Sequence, residues 1–167
     1  MQPFRRTGPF VAGLFAMMAA GLALVTALVS QYGFELYPCA LCHYQRWAQI
    51  AAGGLGLVTL LLARTALAYW TARFAALAFL AGAGIALFHV GVEAAWWQGT
   101  SGCATPDFGS GMSREDIKSA ILSAPTVACD AVAFRFLGLS MAGWNLVYSS
   151  IAAMAVGWLA SGKGRTP

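Results

Sequence analysis

Long stretches without a charged residue constrain this chain more than any other feature. Four intervals contain no Asp, Glu, Lys or Arg, and they cover residues 7–34, 47–63, 74–92 and 136–162. A helix that crosses a bilayer needs about 20 mostly apolar residues, within a range of roughly 17–25. Only 10% of the 167 residues are charged, whereas soluble domains carry about 25%. The sequence therefore predicts an integral membrane protein.

The intervals place four transmembrane helices at about residues 9–30, 40–63, 72–96 and 138–160. The second interval is long enough only if its helix begins before Arg46, which puts this arginine one turn inside the end of the span. An arginine at that depth is either an interface anchor or a functional residue. Residues 1–167 are thus predicted to form one all-α membrane domain, a four-transmembrane-helix bundle.

The distribution of charge predicts the orientation of the bundle. Six basic residues lie in the two tails and in the connection between helices two and three, with no acid among them: Arg5, Arg6, Arg64, Arg73, Lys163 and Arg165. All six acids lie on the other side. Basic loops stay in the cytoplasm, so both termini are predicted to be cytoplasmic and the loops at about 31–39 and 97–136 to lie outside. The net charge of +4 follows from this asymmetry and does not indicate a nucleic-acid partner.

The second outer loop is predicted to contain a short helix of its own. Ser113 with Asp116 three residues later resembles a capping box. Apolar residues then recur at helical spacing from Ile117 to Ala124, where Pro125 ends the run. The pattern predicts an amphipathic helix lying on the membrane surface, in contact with lipid.

All four cysteines fall on the predicted outer side, a compartment that permits disulfides. Cys39 and Cys42 form a C-x-x-C motif at the start of the second helix, and Cys103 and Cys129 lie in the large loop. A helix N-terminus and the nearby Arg46 both favour a thiolate, which predicts an activated sulfur at Cys42. Four cysteines allow three disulfide pairings, and the sequence does not choose among them.

Two outer cysteine pairs can pass electrons in series by thiol–disulfide exchange. The pair beside the membrane then needs a final acceptor that is not a thiol, and a membrane quinone fits because it can reach Cys42 and be polarised by Arg46. One alternative is a pair of structural disulfides. Another is a zinc site that adds His43 or His89 to the C-x-x-C motif, but a second pair of ligands is missing. We therefore expect no metal.

The chain resembles the disulfide bond formation protein B (DsbB) family, the quinone-linked thiol oxidases of the bacterial inner membrane. The resemblance covers nearly the whole chain. Three features carry it: the pattern Cys39-x-Leu41-Cys42-x-Tyr44-x-Arg46, the loop cysteines Cys103 and Cys129, and the segment FLGLSMAGWN at residues 136–145. It implies four spans in the inner membrane with both cysteine pairs in the periplasm.

The resemblance also implies a role for each cysteine. A reduced periplasmic thioredoxin-like dithiol oxidase of the DsbA type would attack Cys103. Cys129 would be the resolving cysteine and would exchange with Cys39. Cys42 would face the quinone, either ubiquinone or menaquinone, and Arg46 matches the quinone-contacting arginine of the family.

The resemblance makes His89 a further candidate for the quinone site, because family members can carry a quinone-proximal histidine near the outer end of the third helix, where His89 lies. A histidine that only packs between helices is an equally good interpretation, and Glu93, one turn further on, is interpreted as a solvated or interface residue. Three other functions remain open. They are a thiol–quinone enzyme working in the reductive direction, a tetraspan protein with structural disulfides, and a small transporter, although no charge in mid-span supports the last.

Overall fold

The computed structural model of the protein describes residues 7–100, 103, 113–123 and 127–161. These residues form five helices and one short antiparallel ribbon. The helices are α1 (Thr7–Gly33), α2 (Ala40–Leu61), α3 (Leu67–Glu93), α4 (Arg114–Ser123) and α5 (Met141–Ala160). The ribbon pairs β1 (Arg135–Phe136) with β2 (Leu139–Ser140) immediately before α5.

The long helices lie where the charge-free intervals placed them, but several ends differ. The third helix was predicted over 72–96, whereas α3 runs from Leu67 to Glu93. Its first turns include Trp70, and the Arg73 guanidinium stacks over that ring. Charge governs how deep a helix sits in a membrane, not where its backbone becomes helical. The ribbon was not predicted, because strands of two residues leave no alternating pattern. Its turn is formed by Leu137 and Gly138, which both have positive φ.

The short helix predicted in the large loop is α4, and its capping box is confirmed. The N–H of Asp116 donates to Ser113 Oγ at 3.2 Å, and the Asp116 carboxylate accepts from the Ser113 hydroxyl at 2.6 Å and from its N–H at 3.3 Å. These hydrogen bonds to the ionised form lower the pKa of the Asp116 carboxyl. Ala124 and Pro125, where we expected the helix to end, lie outside the described residues.

The four long helices pack side by side, with α2 between α1 and α3, and α5 mainly against α3. The start of α1 meets the end of α5, since a Cβ added to Gly8 would lie 3.2 Å from the Leu159 carbonyl oxygen. Arg64, in the short connection from α2 to α3, belongs to this same end. Glu35 and Glu93 belong to the opposite end, where α2 begins and α3 stops. Among the described residues, Arg64 therefore lies at the end of the bundle opposite Glu35 and Glu93, as the order of charges predicted.

Small residues fill the interior of the bundle. The buried core is mostly alanine, and Phe79 and Val156 are the largest apolar side chains buried in it. Small side chains allow helix backbones to approach closely, which is how helices associate in lipid. At one such approach, a Cβ added to Gly13 of α1 would lie 2.8 Å from the Gly56 carbonyl oxygen of α2.

Within the described part of the chain, two helices qualify as membrane spans by length and composition. They are Gly8–Gly33 and Leu67–Glu93, with mean hydropathies of 2.2 and 2.0. The other two long helices, α2 and α5, are shorter, at 22 and 20 residues. They also carry polar residues, and Gln45 and Gln49 of α2 are buried inside the bundle. The polar interior therefore lowers the hydropathy of these two helices.

Candidate redox site

Cys39 and Cys42 lie at the start of α2, as predicted. Cys39 is the N-cap residue with extended backbone angles, and Cys42 lies in the first turn. This arrangement turns both side chains to one side and places their Sγ atoms 3.5 Å apart. The two sulfurs are not bonded to each other, so the pair is a dithiol. Cys39 is buried and Cys42 is half-buried.

Cys103 and Cys129 form a disulfide, which is one of the three pairings that the sequence left open. Both residues are buried, and they pack with Cys39, Leu41 and Val92 in one apolar cluster. The disulfide of the large loop is thus seated on the end of the bundle, directly against the dithiol. All four cysteines meet where α2 begins and α3 ends.

His89 contacts both cysteine pairs. Its Nε2 lies 3.6 Å from Cys39 Sγ, 3.2 Å from the backbone oxygen of Cys129 and 3.8 Å from the Glu93 carboxylate. These neighbours are hydrogen-bond acceptors, so we infer that Nε2 carries the hydrogen and that Nδ1 accepts from the Gln45 amide at 2.9 Å. The direct contact with the dithiol was not predicted. Glu93, which we interpreted as a solvated or interface residue, has a side chain that is only 10% exposed.

The geometry favours the thiolate on Cys39. The side-chain interaction with Cys42, whose Sγ lies 3.5 Å away, is the main cause that lowers the pKa of the Cys39 thiol to about 4. Burial opposes this shift, and the hydrogen bond with His89 adds to it. We predicted the activated sulfur at Cys42. The difference arises because the sulfurs interact with each other and His89 sits beside Cys39, a contact that the sequence does not reveal.

The reduced protein should therefore keep a thiolate at acidic pH. Because the pKa of Cys39 in the folded protein is lowered from 9.0 to about 4, its stabilising contribution is complete above pH 9 and is lost as the pH falls through about 4. Thiolate absorbance of reduced, chelator-treated protein measures the midpoint. Cys42→Ala should raise that midpoint by at least about 1 pH unit, and Cys42→Ser, which keeps a donor, by less. A wild-type midpoint near 9 would contradict this assignment.

A cavity of about 590 Å³ lies between α1, α2 and α5, beside the dithiol. Its walls are mostly apolar, and Cys42, Arg46 and His89 contribute to them. The Arg46 guanidinium donates to Gln31 Oε1 at 2.6 Å and to the Ala27 carbonyl at 3.3 Å. Residues of α1 therefore hold Arg46 at the cavity wall, one turn from Cys42.

The ribbon before α5 supports the same wall. The indole N–H of Trp144 donates to the Phe136 carbonyl at 2.9 Å, and the two rings lie 6.1 Å apart. Trp144 and Tyr148 both line the cavity. The ribbon thus fixes an aromatic side chain at the mouth of the cavity, near the end of α5 that faces the cysteines.

A buried chain of amides connects His89 to α5. Asn145 donates to Gln45 Oε1 at 2.5 Å and accepts from Gln49 Nε2 at 3.2 Å, and Gln49 also donates to Ser149 Oγ at 2.9 Å. Gln49 Oε1 has no partner among the described residues. Our sequence reasoning missed this network. The available signal was a polar pair four residues apart in each of two apolar helices, since such pairs share a helix face.

Three residues of the site form a possible metal-ligand set. One donor atom each from Cys39, Cys42 and His89 lies within 4.8 Å of the others. His43, the other histidine that we considered, is exposed. The sequence predicted no metal because a second pair of ligands beyond the C-x-x-C motif was missing. The fold brings His89, one of the two histidines considered, to the motif from fifty residues away.

Comparison with known proteins identifies the family. A family model described as "Disulfide bond formation protein DsbB" matches residues 9–159. The chain belongs to the DsbB family. Disulfide bond formation protein B of Mannheimia succiniciproducens is 36% identical over 143 residues, which cover 80% of this chain and 75% of the relative. The protein of the same name from Xanthomonas campestris pv. campestris is 35% identical over 157 residues, covering 89% and 87%.

A further relative carries no functional name. The uncharacterized protein RP370 of Rickettsia prowazekii is 28% identical over 127 residues, covering 75% of this chain and 73% of the relative. The DsbB membership confirms the resemblance found in the sequence and assigns the protein to disulfide bond formation, an oxidoreductase activity on thiols. Together with the two long apolar helices, it indicates a membrane protein.

Proposed function

We propose that this DsbB-family protein is a quinone-dependent thiol oxidase that reoxidises a periplasmic thioredoxin-like dithiol oxidase of the DsbA type. One observation carries the proposal: the Cys103–Cys129 disulfide packs against Cys39, whose dithiol partner Cys42 lines a cavity. A loop disulfide alone would be a structural staple. A second cysteine pair beside it can take up, by thiol–disulfide exchange, the electrons that the loop pair receives.

In this proposal α1, α2, α3 and α5 span the bacterial inner membrane, with both termini in the cytoplasm. The positive-inside rule supports the orientation, because Arg64 lies at the end of the bundle that holds the termini. Glu35 and Glu93 lie at the cysteine end. The cysteines then face the periplasm, where disulfides persist.

Electrons enter at Cys103. A thiolate of the partner attacks Cys103 Sγ, the Cys103–Cys129 bond breaks, and a mixed disulfide forms. The second thiolate of the partner resolves that bond, which leaves the partner oxidised and both loop cysteines reduced. Cys103 is only 4% exposed, so the loop must lift from the end of the bundle before the partner can reach it.

The loop then passes the two electrons inward. The Cys129 thiolate attacks Cys39 of an oxidised Cys39–Cys42 pair, and Cys42 leaves as the thiolate. The Cys103 thiolate then attacks Cys129 Sγ in the Cys129–Cys39 mixed disulfide. This restores the loop disulfide and releases Cys39 as the thiolate. His89 lies within reach of both Cys39 Sγ and the Cys129 backbone, and it would hold these residues together during the exchange.

The cavity supports a quinone as the final acceptor. Its apolar walls suit a ring with an isoprenoid tail, and Arg46 is fixed where it can face a ring oxygen near Cys42. The chemistry supplied by bound ubiquinone or menaquinone is acceptance of two electrons and two protons. The lowered pKa of Cys39 keeps a thiolate ready to close the disulfide onto Cys42. A DsbA-type partner has a potential of about −120 mV, so reoxidising it requires an acceptor more oxidising than glutathione.

Cys103→Ala should separate the two halves of the reaction. Purified protein in detergent is mixed with a reduced DsbA-type protein and a soluble quinone, and quinone loss is followed by absorbance. Partner-driven quinone reduction should fall by at least about 100-fold, because the entry sulfur is gone. The Cys39–Cys42 pair should still be oxidised by quinone, as shown by thiol alkylation and mass.

Two outcomes would contradict the proposal. Wild-type rates of partner oxidation by Cys103→Ala would exclude the order of transfer. Failure of wild-type protein to reduce quinone with any reduced partner would exclude the oxidase itself. Reduction of the partner by a hydroquinone under the same conditions would instead place the protein in the reductive direction.

A further inference from the structure

We propose that the reduced site binds one thiophilic divalent cation of the Zn²⁺ type, which holds the dithiol in its reduced form. Cys39, Cys42 and His89 supply three ligands, and Glu93 supplies the fourth. The cation competes with disulfide formation for the same two sulfurs, so a metal-bound protein is switched off as an oxidase.

The distances in the site suit a tetrahedral ion. With Zn–S near 2.3 Å and Zn–N near 2.0–2.1 Å, tetrahedral ligand atoms lie about 3.5–3.8 Å from one another. The Cys39 and Cys42 sulfurs are 3.5 Å apart, and Cys39 Sγ is 3.6 Å from His89 Nε2. All three ligand atoms lie within 4.8 Å of one another. Movements of a few tenths of an ångström to about one ångström therefore complete three corners of the tetrahedron.

Glu93 is placed to complete the coordination. Its Oε1 lies 3.8 Å from His89 Nε2, from a position one helical turn further along α3. The side chain is 10% exposed and lines the same cavity as Cys42. Rotation of this side chain brings a carboxylate oxygen to the open corner, and four protein ligands make a closed site of the structural type.

Gln45 supports the histidine ligand from the other side of the ring. In the metal-free protein, Nδ1 accepts a hydrogen bond from the Gln45 amide. A metal on Nε2 moves the ring hydrogen to Nδ1, which then becomes a donor. Rotation of that amide turns Oε1 toward Nδ1 to accept its hydrogen, and it replaces the hydrogen bond that Oε1 accepts from Asn145 in the metal-free protein. Such an outer hydrogen bond orients a metal-bound imidazole and typically contributes 10–100-fold to affinity. Gln45 is therefore a positioning residue for the metal site.

Metal binding at this site transfers no electrons. The cation displaces the protons that remain on the two thiols, and the sulfurs stay at the oxidation level of thiolate. Each sulfur then donates a lone pair to the cation, which lowers its nucleophilicity and holds it at the metal, away from an acceptor. Reversal requires only removal of the cation by a chelator, and the disulfide form offers no thiolate ligands to it.

Cobalt(II) is the spectroscopic probe for this site. Full-length protein in detergent is reduced, treated with chelator, freed of both reagents without air and titrated with Co²⁺. We expect one Co²⁺ per chain, with the visible bands of tetrahedral coordination and a sulfur-to-cobalt charge-transfer band, both lost on addition of Zn²⁺. Protein whose Cys39–Cys42 pair has been oxidised should show neither band.

Matched variants assign the ligands. His89→Ala should weaken Co²⁺ binding by more than the roughly 10–100-fold that Gln45→Leu costs as an outer partner. His43→Ala, which changes the exposed histidine, should bind as the wild type does. Glu93→Gln should weaken binding, whereas Glu35→Gln, at an exposed acid of the first outer loop, should not.

Several results would overturn the inference. Absence of tetrahedral bands in the reduced wild type would exclude the site, and equal affinity of His89→Ala and wild type would exclude the histidine ligand. Unchanged affinity in Glu93→Gln would exclude the fourth ligand. These experiments measure metal binding and not turnover. Their result therefore tests the metal site independently of whether a quinone accepts the electrons.

Discussion

Cys42→Ala should reduce steady-state quinone reduction to the uncatalysed background. The variant keeps the loop disulfide, so it can still oxidise about one equivalent of a reduced DsbA-type partner through Cys103. The electrons then stop in the loop, because Cys39 has no sulfur with which to form a disulfide at the membrane. We therefore expect a single turnover of the partner without loss of quinone, measured by partner thiol content and quinone absorbance in the same sample.

His43→Ala is the matched control for this substitution. It changes the next residue along the first turn of α2, where the side chain is exposed, and removes no sulfur. Turnover should be unchanged, which would tie the loss in Cys42→Ala to the thiol and not to the helix start. Repeated turnover by Cys42→Ala with quinone consumption would show that electrons leave by another route and that Cys42 is not the terminal thiol.

The positions of the long helices, and the end of the bundle at which the cysteines lie, were predictable because both depend on local composition. Each apolar interval specifies its own helix, and the separation of Arg64 from Glu93 is visible in the order of charges along the chain. The capping box of α4 was predictable for the same reason, since Ser113 and Asp116 are only three residues apart in the sequence. The family resemblance depended on motifs that are likewise contiguous or nearly so.

The partners of the site residues were not predictable, because they come from distant parts of the chain. His89 reaches Cys39 across 50 positions, and Asn145 reaches Gln45 across 100. Helix rotation within the bundle decides such contacts, and periodicity in helices of mostly uniform hydropathy gives little information on rotation. The same ambiguity hid the preference for a thiolate on Cys39, since helix rotation is what brings His89 to within 3.6 Å of that sulfur.

Gly56→Val should strongly destabilise the bundle while leaving the redox residues intact. A Cβ at residue 56 would lie 2.9 Å from the Gly13 carbonyl oxygen, 2.9 Å from the Met17 nitrogen and 3.0 Å from Ala16 Cβ. These are backbone or first side-chain atoms of α1, and none can rotate away. Helices α1 and α2 must separate, and overpacking of this kind typically costs about 1–3 kcal/mol, or more for the branched side chain.

Gly54→Ala supplies the control, because a Cβ there meets nothing within 4 Å. Gly54→Ala and Gly56→Ala gain the same helix propensity, worth up to about 1 kcal/mol, so the difference between them isolates the contact with α1. We expect Gly54→Ala to match or exceed the wild type in thermal unfolding in detergent and Gly56→Ala to fall below it, with Gly56→Val lower still.

The two helices that cross here also form part of the cavity wall nearer the cysteines. Gln31 and Ala27 of α1 hold Arg46 of α2 through two hydrogen bonds, so separating the helices releases the guanidinium. Gly56→Ala should therefore raise the KM for quinone even at temperatures where the protein remains folded, while the rate at which the loop disulfide oxidises the partner stays unchanged. Equal stability and equal KM for Gly54→Ala and Gly56→Ala would show that the two helices do not depend on this contact.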